Sequence, residues 1–368
     1  MKVLINFIRV FVGVLFIFSG LVKANDPMGL SYKMQEFFFA WGMSSLDGIS
    51  LSLSVLMIAF EIFAGAALIL GWRAKTISWL LLLLIVFFTF LTGYAFLSGK
   101  FKNCGCFGDC IPITSKQSFI KDIILLILII ILFFSQNYIK PILSKGGLLL
   151  SMLLVFIFSF ASQWFTLKNL PLADCLPFKK GNNISEQMKM PANAVPDSTV
   201  ITFEYEKEGK KISFTGENFP DDFNDSTYKF INRYDKVIRP GKNNEPPIKT
   251  FILNAQNGED ITQKILNDEK VVLIFMEDAS TPIKKWQTQL ESLYNASIGK
   301  NIPIYIITSA APKLSKIIAN TAFKNIELLN GDNTMIRMAA RTNPTCLVLN
   351  KGTIVAKESY SNFNKIQL

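Results

Sequence analysis

Over the first 170 residues the apolar positions come in long blocks; beyond them they shorten into runs separated by charged and turn-forming residues. A bilayer core about 30 Å thick needs about 20 apolar residues of helix. Five segments predict spans: residues 3–22, 51–70, 77–97, 119–134 and 147–165. The fourth is the shortest, yet 123–134 within it is uninterrupted. The first reads as a span and not as a cleaved signal, because Arg9 interrupts it and no small-residue cleavage site follows. Five crossings put residues 23–50, 98–118 and everything after 165 on one side. All five cysteines then share that side.

Past the spans, 171–198 is polar and irregular, with Pro171, Pro177, Pro191 and Pro196, and reads as linker. Residues 199–206 and 211–215 flank Lys207-Glu208-Gly209-Lys210 and predict a hairpin. Residues 236–247 read as loop, with Pro240-Gly241 and Pro246-Pro247. From there a regular order follows. Strands are expected at 249–253, 271–276 and 302–308, and helices at 260–266, 282–297 and 313–321. A closing hairpin, 345–349 and 353–357, turns across Asn350-Lys351-Gly352. Strands alternating with helices and ending in a hairpin predict an α/β sheet of mixed direction. The expected partition is a membrane α-helical bundle of four core helices at 1–135, a fifth span within 136–170, a linker with a hairpin at 171–247, and a soluble α/β domain at 248–368.

Composition sharpens this picture. The 368 residues are 50% hydrophobic and only 18% charged, and there is no histidine. That excludes a Ser-His-Asp triad, a Cys-His pair, and zinc or haem held by imidazole. The net charge of +10 is uneven: residues 1–170 hold 13 Lys and Arg against 6 Asp and Glu, and the remainder 25 against 22. The excess therefore sits among the spans, beside membrane lipid. No nucleic-acid partner is expected, since such a footprint would cluster on one soluble face. Positive charges near the spans are almost evenly divided between the sides. The cysteines favour an oxidising compartment, which places the protein in an inner membrane with its C-terminal domain in the periplasm.

The sharpest chemical feature is Asn103-Cys104-Gly105-Cys106-Phe107-Gly108-Asp109-Cys110, between the third and fourth spans. Three cysteines and two glycines make a compact loop that can bring sulfurs together. A Cys-x-Cys bridge is strained and easily reduced, whereas Cys106 and Cys110 have an easier geometry. Cys175 follows the last span and can reach the same surface. Four such cysteines can relay electrons by thiol–disulfide exchange, with Lys100 and Lys102 favouring a thiolate and Asp109 opposing it. Two structural disulfides, or a Cu(I) or zinc site, account for the same residues; no metal is assigned. Cys346 reads as a buried, inert thiol. Within the spans, Arg9 and Glu61 are the charges that stand out, and intramembrane charges are costly and usually paired. A buried Arg9–Glu61 ion pair between antiparallel helices is the default expectation, with a proton or quinone-headgroup role for Glu61 as the alternative. Gly13, Gly20, Ala64 and Gly65 allow close helix contact, and Phe87–Phe90 would face lipid or a quinone tail.

Several of these residues carry resemblances. The order from 248 onward, with Asn343-Pro344-Thr345 leading into the closing hairpin, resembles the thioredoxin-like fold. The resemblance implies a cis proline at Pro344, facing a partner-binding site. The place of the redox Cys-x-x-Cys reads Glu277-Asp278-Ala279-Ser280-Thr281-Pro282, with no cysteine. Arg9-Val10 with Gly13, Phe18-Ser19-Gly20-Leu21-Val22-Lys23, Asp26-Pro27, and Glu61 with Gly65 and Leu70-Gly71 resemble DoxX-family membrane proteins. Cys104-Gly105-Cys106-Phe107-Gly108 resembles the loop of the related MauE-type proteins. The match spans about residues 1–135, and the whole looks like the Bacteroidetes form that appends a periplasmic domain.

These resemblances imply a four-helix bundle linked to thiol or quinone redox chemistry and to disulfide formation in periplasmic partners. The bundle is also similar to vitamin K epoxide reductase-like proteins, although the Cys-x-x-Cys of that group is absent. The expected function is thiol–disulfide exchange or disulfide maturation of exported clients. Cys104, Cys106 and Cys110 would be the exchange centre and Cys175 a resolving thiol, with the soluble domain holding a client or redox partner. Two alternatives stay open: a non-enzymatic membrane-anchored scaffold stapled by disulfides, and a quinone-linked membrane subunit.

Overall fold

The computed structural model describes residues 2–368 except Lys102, Asp225, Pro240 and Lys242. Two of the residues named above, Lys102 and Pro240, thus lie outside the described residues. The chain divides into two compact units, 1–181 with 252–368, and 182–251.

The first unit opens with helix α1 (Lys2–Asn25) and then α2 (Pro27–Ala40). Asp26 caps α2 by accepting from the Gly29 amide, and Pro27 occupies the first turn, where its missing N–H costs nothing. Helices α3 (Ser50–Leu70), α4 (Ala74–Ser98), α5 (Ser115–Phe134) and α6 (Lys145–Asn169) follow. A Thr114/Gln117 capping box starts α5. Five helices are long and apolar enough to cross a membrane, at the five places the apolar blocks predict. This is a multi-pass membrane protein. The bundle core includes Ile8, Val12, Phe16, Ala67, Leu68, Leu81, Ile85 and Ile129. Helices α1 and α3 pack closely at two glycines: a Cβ at Gly65 would lie 2.7 Å from the Gly13 carbonyl oxygen.

The C-terminal part of this unit is a six-stranded sheet with helices. Its elements are β4 (Leu253–Asn254), α8 (Thr262–Asn267), β5 (Val271–Met276), α9 (Gln287–Gly299), β6 (Ile304–Thr308), α10 (Ala311–Ile318), β7 (Glu327–Gly331), α11 (Asn333–Ala339), β8 (Thr345–Asn350) and β9 (Thr353–Ser359). In their numbering along the chain, the strands lie in the order 4-7-6-5-8-9. β5, β6 and β7 run parallel, β8 runs antiparallel to β5, and β9 antiparallel to β8. All six residues of β5 are buried, as a continuous apolar run covered on both faces requires. This is the mixed sheet expected of a thioredoxin-like domain without its cysteine pair, and the Asn343–Pro344 peptide is cis. The strand expected at 249–253 shrinks to β4, while β7 and α11 were not foreseen.

The second unit, residues 182–251, contains α7 (Ile184–Gln187) and an antiparallel sheet of β1 (Ser198–Lys207), β2 (Lys210–Thr215) and β3 (Lys229–Arg239), ordered 2-1-3. The predicted hairpin is β1–β2. β3 adds a third strand where linker and loop were expected, pairing Val200 with Lys236. Tyr205, Phe214, Phe219, Phe223 and Tyr228 form an aromatic cluster within this unit, mostly in edge-on contact.

Candidate functional site

The loop joining α4 to α5 is pinned at its base by a bridge between Asn103 and Thr114 and by the Ser115 hydroxyl, which donates to the Phe101 carbonyl at 2.7 Å. Gly105 and Gly108 adopt φ values of +67° and +57°, a region glycine enters without steric cost. A Cβ at Gly105 would also meet the Lys33 side chain at 3.0 Å. The tight turn folds Cys104 inward, 8% exposed, among Phe37, Ala95 and Phe101. The Cys106 carbonyl accepts from the Ser19 hydroxyl at 3.2 Å.

The two thiols are hydrogen-bonded to each other and split in acidity. The bond from Cys106 lowers Cys104 to about 7, against the opposing effect of burial. Cys106 is pushed well above the ordinary thiol range, first by donating that bond and then by burial. Cys104 is thus the more acidic thiol of the pair and Cys106 its hydrogen-bond donor.

Two ion pairs stand beside the thiols. Lys23 and Glu61 lie 2.5 Å apart, both buried, and Ser19 also donates to Glu61 at 3.0 Å. Lys121 lies 2.8 Å from Asp122, which accepts from Thr92 at 3.0 Å. Each ammonium also covers a ring, Lys23 over Phe88 and Lys121 over Phe107. Lys100, expected to favour a thiolate, is exposed; Lys121 and Lys23 are the cations that act on Cys106. A cavity of about 440 Å³ runs from these groups into the bundle. Beyond its polar end the walls are apolar, among them Phe16, Phe37, Trp41, Phe60, Leu84 and Phe88.

The Arg9–Glu61 pair is a correction. Arg9 donates to the carbonyls of Leu68 at 2.8 Å, Ile69 at 2.5 Å and Lys140 at 3.0 Å. It caps the C-terminal end of α3, where carbonyls lack helical partners. Gly71 makes room for this cap: it has a φ of +72°, and a Cβ there would sit 2.5 Å from the Lys140 oxygen. Glu61 pairs with Lys23 instead, because α1 continues to Asn25 and carries Lys23 to the level of Glu61. Counting the first span only to residue 22 had hidden this partner.

The four candidate cysteines separate into two pairs. Cys110 and Cys175 form a disulfide, while Cys104 and Cys106 are free thiols. The easier pairing anticipated for Cys106 with Cys110 is not the one formed. Asn25 fixes the segment that carries Cys175, donating to the Ala173 carbonyl at 2.9 Å and accepting from its amide at 3.0 Å. Among the described residues no group of three or more cysteine or carboxylate side chains is arranged to hold a metal.

The sheet domain meets this surface through charge. Arg341 bonds Asp26 at 2.7 Å and Asp109 at 2.8 Å, and Lys357 bonds Asp174 at 2.7 Å. Tyr32 donates to Glu277 at 2.9 Å, and Arg337 also binds that carboxylate. Where a redox thioredoxin would carry cysteines, Asn343 donates to Asp278 at 2.6 Å. Pro344, expected at a partner-binding site, is buried, and its carbonyl accepts from Thr342 and Tyr360. A partner cannot rest on it in this conformation. Cys346 is a fully buried thiol, raised well above its ordinary range by burial.

A five-helix membrane protein with a paired-cysteine loop and an appended sheet domain is thus defined. Residues 1–135 match the family described as methylamine utilisation protein MauE, as the resemblance of the bundle implied. Residues 199–240 match a domain of unknown function, DUF8463. Among curated proteins, Protein TlpB of Flavobacterium psychrophilum is 38% identical over 114 residues, covering 31% of this chain. The matched part is 28% of that relative's length.

Proposed function

We propose that this protein performs thiol–disulfide exchange at the periplasmic face of the inner membrane, as an oxidant of exported clients. The observation that carries the reading is an acidity-split Cys104/Cys106 pair in the same loop as Cys110, which is bonded to Cys175. A client thiolate attacks the Cys110–Cys175 bond and its second thiol resolves the mixed disulfide. The client leaves oxidised, and Cys110 and Cys175 become thiols. They in turn reduce a Cys104–Cys106 bridge, whose close spacing makes it strained and strongly oxidising. Lys121 and Lys23 favour thiolate on this inner pair.

The test is a reductant pulse in intact cells, followed by acid trapping and mass tagging. In the native protein the Cys110–Cys175 bond should re-form within the chase. In a Cys104→Ser plus Cys106→Ser variant it should re-form about tenfold more slowly or not at all. Recovery at the native rate would show that the inner pair takes no part.

A further inference from the structure

We infer that β3 is an interface between two copies of this chain, paired edge to edge and antiparallel about Tyr234. The contact lies within residues 182–251 and does not depend on the cysteine chemistry.

β3 has an open side. It pairs with β1 on one flank, and among the described residues no strand pairs with it on the other. All eleven of its residues are exposed, and Phe230, Tyr234, Val237 and Ile238 are each at least 50% exposed. Such an edge offers a row of unpaired amides and carbonyls to another strand, and a long apolar one is a template for pairing. The Arg233 amide donates to the Asn232 side chain at 2.9 Å, so it points away from β1 and toward the open side. Backbone direction alternates along a strand, and the ladder with β1 is regular from Asn232 to Val237. Asp235 and Val237 therefore present their amides on the same side as Arg233.

The side chains select the occupant. Lys229-Phe230-Ile231-Asn232-Arg233-Tyr234-Asp235-Lys236-Val237-Ile238-Arg239 is complementary to itself reversed. With Tyr234 opposite Tyr234 of a second copy, Arg233 stands opposite Asp235, Phe230 opposite Ile238 and Ile231 opposite Val237, each twice by symmetry. Asn232 faces Lys236, an amide oxygen against an ammonium. The outermost pair, Lys229 with Arg239, is of like charge, at the ends where water screens it. Opposite charges and apolar pairs across strands stabilise, and like charges destabilise. Other registers fail on this criterion. A slip of one residue sets Arg233 or Ile231 opposite Lys236, and a slip of two sets Arg233 or Asp235 opposite itself. Arg233 and Asp235 already bond each other along the strand at 2.7 Å. The guanidinium has five donors, so it can also bond the second copy.

The contact is isologous: it uses the same edge on both copies and so stops at two. The product is a six-stranded antiparallel sheet whose outer edges are the two β2 strands. β2 opens with Lys210 and Lys211, both exposed, the kind of charge that blocks further pairing. Five spans hold each copy in the bilayer. Two copies in one membrane meet at a high effective concentration, so a single strand pair suffices to join them.

The experiment uses the full-length protein in phosphatidylcholine vesicles holding several copies each. With the Arg233 and Asp235 amides on the open side, Tyr234 meets its mate in a non-hydrogen-bonded pair, Cα atoms about 4.5 Å apart. Tyr234→Cys should therefore join two copies by a disulfide under mild oxidation, and the unsubstituted chain should not. Asn232→Cys lies about 14 Å from its own mate; it should cross-link only when mixed with Lys236→Cys. In the Tyr234→Cys chain, adding Arg233→Glu or Asp235→Arg should each cut the yield about tenfold. Mixing those two variants should restore it, because every charge then meets its opposite on the other copy. A loss that mixing leaves unrepaired, or cross-linking of Asn232→Cys alone as readily as of Tyr234→Cys, would overturn the register. Absence of a Tyr234→Cys dimer from protein with its native unfolding temperature would overturn self-pairing, and a Tyr234→Cys adduct with a different protein would assign the edge to another partner.

Discussion

At the scale of single residues, the Cys-Gly-Cys turn holds two thiols of unlike acidity. With its value lowered to about 7, Cys104 is about half ionised at pH 7, whereas a thiol at 9.0 is about 1% ionised. Alkylation of Cys104 by N-ethylmaleimide should rise with pH through about 7 and level off before pH 9. The largest cause is the bond from Cys106, so Cys106→Ala should move that midpoint upward, leaving burial as the main influence. The rate at pH 7 should then fall about tenfold, and an unchanged midpoint would remove Cys106 from the account. Cys346, raised by burial, serves as the unreactive control. The cysteine loop itself was legible in the sequence, because three cysteines and two glycines in eight residues have few structural uses. Their division into a thiol pair and a disulfide was not. It depends on where α6 ends and on Asn25 holding the backbone at Ala173, a contact across more than a hundred residues.

At the scale of elements, the antiparallel packing of α1 on α3 sets which charges meet. Gly13 lies against Gly65 and Gly20 against Ile62, so Lys23 reaches Glu61 while Arg9 reaches the end of α3. Arg9 and Lys23 are about 21 Å apart along the helix axis. Removing one member of the buried Lys23–Glu61 pair leaves the other charge without its partner, at a cost of about 3–5 kcal/mol. A cycle of Lys23→Met and Glu61→Gln, followed by thermal unfolding in detergent, should therefore show coupling of about 1–3 kcal/mol. The cycle of Arg9→Met with Glu61→Gln should be additive within about 0.5 kcal/mol. The reverse ranking would restore the pair expected from the sequence. The spans were legible because bilayer length imposes long apolar runs, and β5 because a buried parallel strand is continuous. β3 was not legible: all eleven of its residues are exposed, and Lys229, Arg233, Lys236 and Arg239 interrupt its apolar positions. β7 was hidden by its shortness and by Glu327, Asn330 and Gly331.

At the scale of the molecule, the sheet domain lacks thioredoxin cysteines yet grips the two segments that carry the Cys110–Cys175 bond. Asp109 precedes Cys110 and binds Arg341; Asp174 precedes Cys175 and binds Lys357. Both cations are nearly buried, at 7% and 5% side-chain exposure. Burial disfavours charge on each; for Arg341 the attraction of Asp26 and Asp109 outweighs it, whereas for Lys357 burial prevails over Asp174. The clamp holds the two sulfur-bearing segments together whether or not they are bonded, and so raises the effective concentration of one thiol at the other. It should therefore favour the oxidised form. Replacing Arg341 and Lys357 together by Met frees both segments, and the bond becomes easier to reduce. Equilibration of the full-length protein with glutathione buffers should show the midpoint moved toward the oxidising side, by about tenfold in the thiol–disulfide constant. A shift that large through the charge clamp alone would make the cysteine-free domain a regulator of the outer disulfide's potential. An unchanged constant would mean that Asn25 and the end of α6 suffice to hold Cys175 in place.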